Sequence, residues 1–191
     1  MNASSQSPSS HAAPPAVQRF LARWQMVERW VAVLAFTGIG ALIFADVAGR
    51  ELIGPLADFL GIEMGATGVY GARKISLHLL VIGAFAGLGV SVATGTQIVP
   101  RVAFGWVPAA WEAAVTRLGN LVSAAFLGAV TYYAIVFVAS SREIGTVIPG
   151  LDWPAWIIQS FMPIGFASAA LRYLAFAIWP GVAPQLEEIP E

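Results

Sequence analysis

The chain has 191 residues, 58% hydrophobic and 11% charged, with a formal net charge of −1 and no cysteine. A soluble domain carries about 25% charged residues, so polar groups are too few to face water on every side, and lipid must cover much of the surface. The charge balance gives no sign of nucleic-acid binding, and the missing cysteine removes disulfides, thiolate metal sites and cysteine nucleophiles. A single all-α integral membrane domain is the expected unit.

Residues 1–16, rich in Ser, Pro and Ala, read as a disordered tail that includes His11. A secretory signal would place its apolar core close to the start. Here the first apolar run begins after Arg29, so it is expected to be retained as an anchor. Between tail and span, Val17–Trp30 sets Phe20, Leu21, Trp24 and Val27 on one helical face, with Arg19, Arg23 and Glu28 elsewhere. Two readings stand: an interfacial helix lying on the membrane before the chain turns in, or a solvated lead-in with snorkelling arginines.

Span one runs from Val31 to about Val47. Asp46 and Arg50 at its far end are spaced i, i+4 for an ion pair in the headgroup region. Gly54–Gly71 is too broken by glycine and Pro55 to cross, and reads as a loop with a short amphipathic turn at the interface. Span two, about Ile75–Ala93, follows the basic pair Arg73-Lys74 and contains His78 and the G-x-x-x-G of Gly83 and Gly87. Such a spacing flattens one helix face for close approach. Pro108 is placed to open a helix whose first part, Ala109–Arg117, is expected at the interface before span three, about Leu118–Ala139. After a second loop with Gly145, Pro149, Gly150 and Pro154, span four covers about Ala155–Trp179 and holds Gln159, Pro163 and Arg172. Pro163 is expected to kink it near the carbonyl of Gln159. The membrane domain is thus 17–180, followed by an acidic tail, 181–191.

The tryptophans (Trp24, Trp30, Trp106, Trp111, Trp153, Trp156 and Trp179) all fall at or beyond span ends, the pattern of an aromatic belt. Lys and Arg outside the spans divide five to four in favour of the side that holds the N-terminal flank, which points to both termini in the cytoplasm.

The residues exclude much chemistry. Lys74, in GARKIS, does not make a phosphate-binding G-x-x-x-x-G-K-[ST] loop. His78 alone cannot supply a bis-histidine haem, and Ser76 or Ser91 beside it makes no protease motif. Mid-span positions are nearly all Ala, Val, Leu, Ile, Phe and Gly, a poor substrate path but a good packing surface. No enzyme activity, cofactor or metal is expected.

Four stretches, in order and spacing, resemble the small membrane subunit (DctQ-like) of the tripartite ATP-independent periplasmic, or TRAP, transporters. They are Asp46-Val47-Ala48-Gly49-Arg50; Leu79-Leu80-Val81 leading to Phe85-Ala86-Gly87; Gly95-Thr96-Gln97-Ile98-Val99; and Phe161-Met162-Pro163-Ile164-Gly165-Phe166 with Arg172. The resemblance spans roughly residues 25–180. This chain departs from the family pattern at Arg73 and Lys74, where acids are common, at Gln97, where histidine is usual, and at Pro100, where an acid is usual.

The resemblance implies a bacterial inner-membrane scaffold partner of a large, elevator-type permease subunit (M-type). A periplasmic solute-binding protein (P-type) would deliver an organic acid or similar solute, and a sodium gradient would drive uptake. Arg50, Arg73, Lys74, Gly83 and Gly87 are the candidate contacts to the large subunit or the binding protein; the other reading is that the cations meet lipid headgroups and the glycines pair within the chain's own bundle. The alternative is an unrelated four-span scaffold or assembly protein without a transport role.

Overall fold

The computed structural model describes residues 13–96 and 108–184. It contains four helical segments long and apolar enough to cross a membrane: 15–59, 72–94, 110–144 and 155–178. The elements in chain order are α1 (Pro15–Ala48), a π-helical turn (Gly49–Ile53), α2 (Gly54–Phe59), α3 (Ala72–Thr94), α4 (Ala109–Ile144), α5 (Ala155–Gln159), α6 (Phe161–Ile178) and a 3₁₀ turn (Pro180–Val182).

The side-by-side order is α1, α3, α6, α4. The middle helices are the packed ones. In the most apolar window of α3 and of the α5–α6 segment, 28% and 33% of residues are buried, against 6% in α1 and in α4. Without a hydrophobic drive between helices in lipid, close backbone approach must supply the packing, and glycines stand where it does. A methyl group at Gly165 of α6 would come within 2.7 Å of the Phe85 carbonyl oxygen on α3. The rings of Phe85 and Phe166 meet edge to face beside it, with centroids 5.3 Å apart. At Gly83 of α3 a methyl would lie 3.2 Å from Ala35 and from the Phe36 ring on α1. A buried cluster of Val92, Ala169 and Phe176 joins α3 to α6, with Leu127 of α4 packed against it.

Two expected breaks are missing. The sequence suggested a surface helix over Val17–Trp30 that turns before span one, yet α1 runs unbroken for 34 residues, about 51 Å at 1.5 Å per residue. No Pro or Gly lies between Pro15 and Gly38 to interrupt it. Likewise Ala109–Arg117 is continuous with span three in the 36-residue α4. Pro108 stands just before that helix as its N-cap and Pro15 opens α1, positions where a missing amide costs nothing. Of the expected N-terminal tail, only 13–16 lie within the described residues, and Pro15 and Ala16 are already helical.

The two breaks that do occur follow from proline. Span four divides at Ser160, between α5 and α6, because Pro163 has no amide to offer the carbonyl of Gln159. The hydroxyl of Ser160 turns back onto the Trp156 carbonyl at 2.7 Å. The π turn after α1 lies just ahead of Pro55, whose ring would crowd the carbonyl of Glu51 in a regular helix.

The glycines permit a paired test. Gly165→Val should lower the melting temperature of the detergent-purified protein, with an overpacking cost of about 1–3 kcal/mol. Gly87→Ala should leave it unchanged, since nothing lies within 4 Å of a methyl group there; equal effects from both would refute the packing described.

Candidate functional site: two polar clasps at opposite ends of the bundle

Helical spacing builds the first clasp. Trp24 and Glu28 are four apart on α1, and Ser168 and Arg172 are four apart on α6. Each pair therefore projects from one face of its helix, and the two faces meet. Arg172 Nη2 donates to Glu28 Oε2 in an ion pair whose side chains are 3% and 8% exposed. The Ser168 hydroxyl donates to Glu28 Oε1. The Trp24 indole N–H is shared between Glu28 Oε1 and Ser168 Oγ, 2.9 Å from each.

Room for this network comes from α3. Gly89 faces it, and a methyl group at that position would overlap the Glu28 carboxylate. Three helices thus converge on one carboxylate, two through donors and one through the absence of a side chain. The energetic logic is strict. Removing two charges from water costs several kcal/mol each, which only close pairing offsets, so an ion left without its partner is expensive.

The second clasp lies 18 residues along α1, about 27 Å at the helical rise, near the thickness of a hydrocarbon core. Arg50 grips Asp46 through Nε (3.1 Å) and Nη2 (2.8 and 2.7 Å), and Asp46 Oδ1 also accepts from the Val69 amide at 3.0 Å. The i, i+4 pairing expected from the sequence is therefore present. It also ties down the loop after α2, where Gly68 lies so close that a methyl would sit 2.7 Å from both Asp46 Oδ1 and Arg50 Nε. Beside it, Lys74 Nζ donates to the Pro149 carbonyl at 2.6 Å, joining the start of α3 to the second loop. There Gly150 takes the left-handed φ of +81°. Arg142 covers the Trp156 ring, 5.3 Å from its centroid.

The five residues proposed from sequence as contacts therefore have different surroundings. Arg50 and Lys74 are engaged within the chain, and Gly83 packs on α1. Gly87 is open, and Arg73 is exposed with no hydrogen bond or ion pair among the described residues. His78 Nδ1 lies 2.6 Å from the Lys74 carbonyl, a local helix contact. Gln97 and Pro100 lie outside the described residues. Sequence reasoning missed the Glu28 clasp; the signal was an acid at the entrance of one span and an arginine inside another, both with small or aromatic partners at i±4.

No group of three or more His, Asp or Glu side chains able to hold a metal ion occurs among the described residues. Their buried polar side chains are Glu28, Ser168 and Arg172 in the first clasp, with Ser76 and Ser141 toward the other end. What this arrangement defines is a helical membrane protein fastened at both ends, with apolar outer faces on α1 and α4.

The comparisons agree with that class. The model of the family described as tripartite ATP-independent periplasmic transporters, DctQ component, matches residues 39–179. The chain belongs to this family, and is a small subunit of a TRAP transporter and a multi-pass inner-membrane protein. It is similar to the ectoine TRAP transporter small permease protein TeaB of Halomonas elongata, 26% identical over 140 residues, which are 73% of this chain and 69% of that protein. No solved structure matches the chain at a significant level. The reading as an unrelated four-span scaffold is set aside by the family match.

Glu28→Gln should destabilise the protein by about 3–5 kcal/mol by leaving Arg172 buried without its counter-charge. Gly89→Ala should have a similar effect without changing any charge. Thermal melting in detergent checks both; a Gly89→Ala protein as stable as wild type would exclude the three-helix convergence.

Proposed function

We propose that this chain is the stationary scaffold partner of a large, elevator-type permease subunit in sodium-coupled uptake. The solute is an organic acid or a similar small molecule delivered by a periplasmic binding protein, and the termini lie in the cytoplasm. The observation that carries the reading is the family match, which runs from within span one to the end of span four. Two features of the geometry support it. Among the described residues the buried polar groups gather into the two end regions and do not line a route across the bundle. The outer helix α4 leaves a broad apolar face uncovered, with Leu118, Val122 and Phe126 each about 60–70% exposed.

On this reading the chain does no chemistry and binds no cofactor. Its fixed bundle gives the moving subunit a rigid neighbour. Gly87, open on α3, is the flat point at which a partner helix can approach closely. Arg50 and Lys74 stabilise the loops that face the delivery protein, each through its contact within the chain.

Affinity purification of the tagged chain should recover a large multi-span permease. Vesicles holding both subunits should take up solute only with the binding protein and an inward sodium gradient. Gly87→Leu should weaken recovery of the permease while leaving the chain folded. A stable chain that brings down no membrane partner would sink the proposal.

A further inference from the structure

A groove of about 420 Å³ runs between α1 and α3 at the end that holds the Asp46 clasp. That is within the range of roughly 300–1,000 Å³ typical of small-molecule sites. Its composition is graded along the helix axes. The inner part is walled by Ile39, Ile43, Leu77 and Leu80, and the mouth by Asp46, Arg50, Glu51 and Arg73. Ser76 also lines it, is 7% exposed, and has a buried hydroxyl with no hydrogen-bond partner.

The grading decides what fits. A phospholipid is polar at one end and apolar at the other, in the same sense as the groove. The charges at the mouth narrow the choice. Asp46 and Arg50 neutralise each other in a bidentate pair. That leaves one cation, Arg73, and one anion, Glu51, neither in an ion pair among the described residues.

We infer that this groove binds one zwitterionic phospholipid. Its phosphate lies on Arg73 and its ammonium group on Glu51, and one acyl chain lies along Ile39, Ile43, Leu77 and Leu80. An ester oxygen at the groove floor is the group that the unpartnered Ser76 hydroxyl lacks. The site does not depend on the transport reading, since it needs only this chain and a bilayer.

The test is native mass spectrometry of the full-length protein in detergent, titrated separately with phosphatidylethanolamine and phosphatidylglycerol. Wild type should retain one phosphatidylethanolamine in preference to phosphatidylglycerol. Arg73→Ala should weaken retention about tenfold, the loss of one charge-assisted hydrogen bond. Glu51→Gln should erase the preference between the two lipids. Leu77→Trp should fill the groove and abolish retention, with circular dichroism showing unchanged helix content. Arg73→Met, which keeps the apolar stem, should weaken retention as Arg73→Ala does, because the phosphate meets the charge and not the stem. Equal retention of both lipids by wild type would overturn the inference, as would retention indifferent to Arg73 and Leu77, or a photo-crosslinker at position 77 that captures protein instead of lipid.

Discussion

The buried contact between Glu28 and Arg172 is the constraint on which the arrangement of helices depends. Neither charge is tolerable alone in an apolar bundle, because the desolvation cost of each is offset mainly by the other, helped at Glu28 by the Trp24 and Ser168 donors. Their pairing therefore fixes α1 against α6, although the main packing partner of α1 is α3. Since α3 passes between them, its contribution has to be an absence. Gly89 supplies that: the side-chain donors to Glu28 come from α1 and α6, and α3 gives the carboxylate its room.

The two clasps differ in kind. Glu28 and Arg172 join helices 144 residues apart, whereas Asp46 and Arg50 belong to one helix end and are partly open to solvent. A solvent-accessible pair of that sort contributes little to stability by itself, typically about 0–1 kcal/mol. Its consequence is local. Through the Val69 amide it holds the loop between α2 and α3 against the end of α1, and so shapes the mouth of the groove in which a lipid is proposed to lie. One end of the bundle is tied through its core and the other through its loops.

Much of this was legible in the sequence. The four spans, the Asp46–Arg50 pair and the break ahead of Pro163 all follow from local rules: apolar length, i, i+4 spacing and a missing amide. The unbroken run of α1 was legible too, in the absence of Gly or Pro across the expected turn, but the amphipathic pattern of Val17–Trp30 drew attention to the membrane surface instead. The Glu28 clasp was not legible, because nothing local says that residue 28 meets residue 172. That pairing depends on the lateral order of the helices, which small residues such as Gly83, Gly89 and Gly165 set by permitting close approach. The G-x-x-x-G motif shows the same limit. Its two glycines look equivalent in sequence, yet Gly83 is used inside the bundle and Gly87 is left open.

The most direct measurement of this account is a double-mutant cycle between Glu28→Gln and Arg172→Met, read as unfolding free energies in detergent. If the clasp is a mutually dependent buried pair, each single change costs about 3–5 kcal/mol while the double mutant loses far less than their sum, since no uncompensated charge remains. Additive losses would show that the two side chains do not stabilise each other, and would contradict the central role given to this contact.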